Sequence, residues 1–172
     1  MNHLMIKSLV NMLKLSDVTH AFIGAGSRSS ALIQELDHQQ FQIHSFLDER
    51  AVGFLALGHS KCNQTPSLIV TTSGSAVTNL YPAITEAANS FHNLIILTAD
   101  RPQRLQQTSA NQTINQTQLF NNVISELQLP EDVSGNDTFL NALAQAIQQQ
   151  HQKGGVIHIN CPLEDPVSHP YN

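Results

Sequence analysis

The sequence predicts an α/β fold: a doubly wound, mainly parallel sheet of about six strands with helices on both faces. Three observations carry this. Short apolar runs alternate with segments of helical period along the whole chain. The runs are apolar throughout and do not alternate, as in strands covered on both sides. Small-residue turns follow the runs and open the helices, the pattern of right-handed βαβ crossovers. At 172 residues the chain is long enough for one full core, so 1–172 is read as a single domain.

The first segment, "MNHLMIKSLVNMLKL", places Leu4, Met5, Leu9, Met12 and Leu13 on one face of an amphipathic helix. It lacks the basic start and small-residue cleavage site of a signal peptide. "VTHAFIG" (Val18–Gly24) reads as a buried strand, and "SALIQEL" after it as a helix. "QIHSF" is a weaker strand, and Asp48–Ser60 a helix. "SLIVTT" (Ser67–Thr72) and "NLIILTA" (Asn93–Ala99) are the strongest strands, with one helix over Ser75–Asn89 between them. From Asp100 to about Gln118 no period is visible. "VISELQL" (Val123–Leu129) is a strand, and Asn136–Gln152 a helix ended by Gly154-Gly155. "GVIHINCP" is the last strand, stopped by Pro162.

Composition removes several function classes. Hydrophobic residues are 41% of the chain and charged residues only 12%, about half the usual share. A net charge of −5 offers no basic surface, so nucleic acid is not an expected partner. No apolar run reaches membrane-spanning length. Cys62 and Cys161 form neither a disulfide framework nor a metal-ligand spacing, which fits a cytoplasmic protein. The nine histidines are scattered, and no metal ligands are assigned.

In a sheet of this kind ligands bind beyond the carboxyl ends of the strands. Four turns lie there: Gly24–Ser29, Leu47–Arg50, Thr72–Ser75 and Asp100–Gln112. Arg28, Arg50 and Arg101 sit in them. "GAGSRSS" partly matches GxGxxG, with Ser29 in place of the third glycine. It reads as a capped tight turn, or, with Arg28 beside free helix N–H groups, as an anion site for a carboxylate. In "DER", Asp48 suits an N-cap and Glu49 the helix dipole. The apolar stretch behind Glu49 also allows a carboxylate at the edge of the core, in need of a hydrogen-bond partner. "TTSGSAVTN" is a Gly turn able to bring backbone close to a ligand. In "TADRPQR" Arg101 either pairs with Asp100 or faces the crevice of Arg28, and "SANQTINQ" reads as a polar loop.

Five segments occur together in order: "GSRSS", "DERAVGFLALGHSK", "TTSGSAVTNLYPAITEA", "LTADRP" and "ANQTINQ". "GGVIHINCPLEDP" closes the set. This order and spacing resemble the SEPHCHC synthase family (2-succinyl-5-enolpyruvyl-6-hydroxy-3-cyclohexene-1-carboxylate synthases), the thiamine-diphosphate enzymes of menaquinone synthesis. The resemblance spans about Gly24–Pro166. It implies a pyrimidine-binding domain in which Glu49 hydrogen-bonds N1′ of the cofactor's aminopyrimidine and favours its imino tautomer. It places Thr72, Ser73 and Gly74 beside that ring, and Ser27, Arg28, Arg101, Asn111 and Gln112 around the substrates. Those substrates are 2-oxoglutarate, which the family decarboxylates, and isochorismate, which receives the succinyl unit. Both are dicarboxylates, which planar arginine forks suit.

The family's enzymes exceed 500 residues and hold the diphosphate through Mg²⁺ on a GDG-bearing domain. No GDG occurs in this chain, and Ala25 stands where the family commonly has proline. The resemblance therefore implies a homodimer or homotetramer whose middle and diphosphate-binding domains lie outside these 172 residues, and a chain inactive by itself. Three other readings compete. They are another thiamine-diphosphate enzyme of the acetohydroxyacid synthase or 2-oxo acid decarboxylase type, a non-catalytic nucleotide-binding module, and a structural assembly domain.

Overall fold

In the computed structural model, which describes residues 3–121, 125–130 and 136–164, the central strands are buried from end to end. The chain runs α1 (His3–Leu15), β1 (His20–Gly24), a 3-10 turn (Ser27–Ser29), α2 (Ser30–His38), β2 (Gln42–Phe46) and α3 (Glu49–Asn63). It continues through β3 (Ser67–Thr71), α4 (Ser75–Thr78), α5 (Tyr81–Asn89) and β4 (Leu94–Asp100). A second 3-10 turn (Gln103–Leu105), β5 (Ser125–Gln128), α6 (Asn136–Lys153) and β6 (Val156–Pro162) complete it. Residues 123 and 124 of the expected fifth strand, and 165 and 166 of the resembling close, lie outside the described residues.

The six strands form one sheet in the order β2-β1-β3-β4-β6-β5, and every pairing is parallel. The period of two along each strand divides the core. Ala21 and Ile23, Leu68 and Val70, Ile95 and Leu97, and Ile157 and Ile159 face α1, α2 and α6. Phe22, Ile69, Leu94, Ile96 and Val156 face α3, α4 and α5. The sheet is thus doubly wound, and continuous apolar runs were needed because both faces are covered.

Among the described residues, one expected helix is divided. The single helix expected over Ser75–Asn89 is broken into α4 and α5 at Asn79–Leu80. Pro82 stands in the first turn of α5. It has no N–H to continue a helix from α4 and its ring excludes the preceding turn, so the helix restarts there. Among the described residues no helix is long and apolar enough to cross a membrane.

The topology fixes where a ligand can enter. From β1 the chain steps outward to β2, then returns past β1 to β3. The crevice of this switch lies between the carboxyl ends of β1 and β3, at Gly24 and Thr71.

Candidate functional site

Glu49 opens α3, and its neighbour frees it from capping duty. Asp48 is the N-cap: its carboxylate accepts from the backbone N–H groups of Arg50 at 2.9 Å and Ala51 at 3.4 Å. Arg50 and Asp48 form only an exposed ion pair at 3.9 Å. Glu49 lies over the end of β1, so close that a Cβ on Gly24 would stand 2.8 Å from Glu49 Cγ. Asn79 Nδ2, at the α4–α5 break, donates to Glu49 Oε2 at 3.4 Å. Nothing in the local sequence singles out Asn79; the helix break brings it to Glu49. Glu49 is half-buried, at the edge of the core as the sequence allowed, and still open in part to solvent.

The next two turns meet at Gly26. A Cβ there would lie 2.4 Å from Thr72 Cβ, so the turn after β1 and the buried Thr72 after β3 touch only because position 26 has no side chain. "GAGSRSS" is thus a close-approach turn; Ser29 closes it by donating from its hydroxyl to the Gly26 carbonyl at 2.9 Å.

Beyond Thr72, the hydroxyl and carbonyl of Ser73 are engaged within the chain. Its hydroxyl receives a hydrogen bond from Arg101 Nη1 and donates to the Gln112 carbonyl at 3.2 Å. Its own carbonyl accepts from Gln112 Nε2 at 2.9 Å. Gly74 follows at φ +80°, and its N–H is taken by Gln116 Oε1 at 2.9 Å. Any ligand here meets the shape of the Ser73–Gly74 turn rather than these occupied groups.

Asp100, 3% exposed, holds the Arg101 turn. Its Oδ1 accepts from the Arg101 N–H at 2.7 Å and from Gln106 Nε2 at 3.1 Å, and its Oδ2 from Asn160 Nδ2 at 2.8 Å. Asp100 thus binds the backbone of Arg101, while the Arg101 side chain reaches across to Ser73. A pocket of about 230 Å³ opens beside it, lined by Asp100, Arg101, Gln106, Gln128 and Pro162 among others.

The structure therefore brings together Glu49, Thr72, Ser73, Gly74, Arg101 and Gln112 at the ends of β1, β3 and β4. Asn111 is exposed beside Gln112, its carbonyl accepting from Thr113 Oγ1 at 3.3 Å. Ser27 is exposed, its carbonyl accepting from Ser30 Oγ at 2.6 Å. Arg28 is set apart. It is 5% exposed, and its Nη1 donates to the carbonyl of Leu163, just past β6. Gln116, wholly buried, was hidden from sequence reasoning within an aperiodic amide-rich stretch.

Comparison with known proteins decides the family. Residues 5–119 match the thiamine pyrophosphate enzyme N-terminal TPP binding domain. The chain belongs to that family. Thiamine diphosphate is accordingly the cofactor of the enzymes in which this N-terminal domain occurs. A relative from Actinobacillus pleuropneumoniae serotype 5b, named 2-succinyl-5-enolpyruvyl-6-hydroxy-3-cyclohexene-1-carboxylate synthase, is 42% identical over 96% of this chain and 30% of its own length. One of the same name from Haemophilus ducreyi is 44% identical over 94% of the chain and 30% of its own length. The chain thus spans about 30% of the length of these relatives. Among solved structures, a Rhodococcus jostii thiamine diphosphate-dependent 4-hydroxybenzoylformate decarboxylase superposes with a TM-score of 0.77. It covers 91% of this chain and 30% of its own at 18% identity, a likeness of fold.

Proposed function

We propose that this chain is the pyrimidine-binding part of a thiamine-diphosphate carboligase, a transferase that decarboxylates 2-oxoglutarate and adds the succinyl unit to isochorismate in menaquinone synthesis. The names of relatives about 40% identical over nearly the whole chain support the substrates. The observation that carries the chemistry is the carboxylate of Glu49 laid over Gly24 at the switch between β1 and β3.

The residues present fit the cofactor. Gly24 leaves room for Glu49, and the Gly26–Thr72 contact builds a narrow wall from backbone and small side chains. Thiamine diphosphate, when bound, supplies the electron sink for decarboxylation. Glu49 is the catalytic residue: its Oε atoms hold the proton shared with a ring nitrogen, and Asn79 keeps the carboxylate oriented. Thr72, Ser73 and Gly74 form the surface against which the aminopyrimidine lies. Mg²⁺ and the diphosphate belong to a part of the enzyme outside this chain.

Arg101 and Gln112, already joined through Ser73, face the dicarboxylate substrates together with Asn111 and Ser27. Arg28 takes part by exchanging the Leu163 carbonyl for a substrate carboxylate, a charge-assisted bond in place of a neutral acceptor. The working enzyme is a cytoplasmic homodimer or homotetramer.

Glu49→Gln in the full-length enzyme tests this reading. It keeps the shape and removes the charge, so turnover should fall on the order of 10²–10⁴-fold, with the substrate KM values little changed. Turnover equal to the wild type would overturn the role of Glu49. Arg101→Ala should instead raise the KM for at least one dicarboxylate about tenfold or more. If neither dicarboxylate supports turnover in the wild-type enzyme, the substrate assignment fails while the family stands.

A further inference from the structure

We infer that Gln116 is a positioning residue that sets the spacing between the Thr72–Gly74 turn and Arg101; this rests on the reading that the turn lines the cofactor and Arg101 the substrate. Gln116 is 0% exposed and makes three hydrogen bonds to three different places. Its Oε1 accepts from the Gly74 N–H at 2.9 Å. Its Nε2 donates to the Ala99 carbonyl at 3.1 Å and to Asn160 Oδ1 at 2.9 Å. These partners fix the amide's orientation, since an N–H faces one end and two oxygens the other.

The geometry is that of a single bracket. Gly74 follows β3, Ala99 precedes Asp100 and Arg101 at the end of β4, and Asn160 lies in β6. Asn160 is itself immobilised: its Oδ1 also accepts from Thr98 Oγ1 at 2.9 Å, and its Nδ2 donates to Asp100 Oδ2 at 2.8 Å. Thr98 Oγ1 is in turn 2.8 Å from His158 Nε2, and His158 Nδ1 is 3.2 Å from Glu126 Oε2. Asp100 holds the Arg101 N–H, so the same network that carries Gln116 also carries Arg101. Gln112, four residues earlier, clamps Ser73 from the outside. Gln112 is exposed and replaceable by solvent; Gln116 is buried, and removing it strands a donor and an acceptor where water does not reach.

The test uses the full-length enzyme with Gln116→Met, which keeps the volume and loses every bond, and Gln116→Glu. In Gln116→Glu a protonated carboxyl accepts from Gly74 through its carbonyl oxygen and donates its O–H to one of the two remaining partners. An ionised one faces the Ala99 carbonyl and Asn160 Oδ1 and is repelled. The other ionisable groups of the network are Asp100, across Asn160, with Arg101 following it, and His158 with Glu126, across Thr98. They are shared with the wild type, so the variant-to-wild-type ratio cancels them.

In Gln116→Met, amide exchange in the 72–78 segment, read by mass spectrometry, should quicken about tenfold or more while α1 is unchanged. Half-saturation by thiamine diphosphate should rise by a similar factor. In Gln116→Glu, turnover relative to wild type should decline as pH rises. Unchanged exchange overturns the bracket. Faster exchange with unchanged cofactor half-saturation and a flat pH ratio makes Gln116 merely structural and overturns the positioning role. If Gln116→Met does not fold, the pH ratio of Gln116→Glu decides alone. A Glu49→Gln enzyme with full turnover would instead sink the underlying functional reading, and is distinguishable because it leaves the exchange result standing.

Discussion

Gly24 ends a strand with ordinary backbone angles, and what it contributes is the absence of a side chain beneath Glu49. Gly24→Ala introduces a Cβ 2.8 Å from Glu49 Cγ, which the flexible glutamate relieves by swinging aside. The fold should lose about 1 kcal/mol or less, because no backbone must move. Turnover of the full-length enzyme should fall about 10- to 100-fold, since displacing a catalytic group by about 1 Å is enough for that. Thermal melting beside kcat separates the two effects; equal losses of stability and activity would refute the cradle. The cysteines make a second contrast at this scale. Burial first, and then the Asp100 carboxylate, push the Cys161 thiol far above its ordinary range. Cys62 is exposed. Iodoacetamide at pH 8 should label Cys62 in the native chain and reach Cys161 only on unfolding. Labelling of Cys161 at the same rate would show that β6 opens.

Where β1, β2 and α3 pack at the amino end of the sheet, three imidazoles gather. His20 Nδ1 lies 3.1 Å from His44 Nε2, the His20 and His59 ring centroids are 4.2 Å apart, and His59 Nδ1 meets Ser67 Oγ of β3 at 2.8 Å. Phe22 packs against His44 and His59. The His20–His44 bond needs one donor and one acceptor, so both rings cannot be charged in it. Burial and then His44 lower the pKa of His20; burial and then His20 and His44 lower that of His59. Below about pH 6.5 the unfolded chain therefore binds protons that the fold refuses. Stability is complete above that pH and should decline as pH falls, levelling off once the folded histidines also protonate. Melting curves from pH 7.5 to 5.0 measure the slope, and His20→Gln with His59→Gln should flatten it. An unaltered slope would assign the effect to other histidines. The sequence displayed nine histidines without this cluster because 24 residues separate His20 from His44 and only strand pairing joins them. Legibility followed the range of the interactions. The strands were readable because a doubly covered sheet writes itself as local apolar runs. The Asp100–Gln118 stretch was not, because its order comes from bonds such as Gly74 to Gln116, 42 residues apart. Glu49 was legible as a residue, but its partners Gly24 and Asn79 were not, for the same reason.

At the scale of the whole molecule, the described residues leave apolar side chains exposed around the start of α3. Leu47, immediately before Asp48 and Glu49, is 103% exposed, and Phe54 and Leu55 of α3 are 46% and 43% exposed. Exposed apolar side chains on the helix that opens with a half-buried carboxylate are surface of the kind that partners cover. A hydrogen bond from a ring nitrogen to Glu49 gains its strength from exclusion of water, and in the open crevice of this chain water competes for both Oε atoms. The 172-residue chain alone should therefore bind thiamine diphosphate weakly and show no turnover with 2-oxoglutarate, isochorismate and Mg²⁺. Adding the remaining part of the enzyme as a separate polypeptide should restore product. It should also protect the 47–58 segment from hydrogen exchange, because the same event covers the apolar side chains and dries Glu49. Leu47→Ser and Phe54→Ser should weaken that restoration while leaving the melting temperature of the isolated chain within a few degrees, as both side chains already face solvent. Product formed by the chain alone would mean that Glu49 works while open to water, and the account of this site as half of a shared enclosure would be wrong.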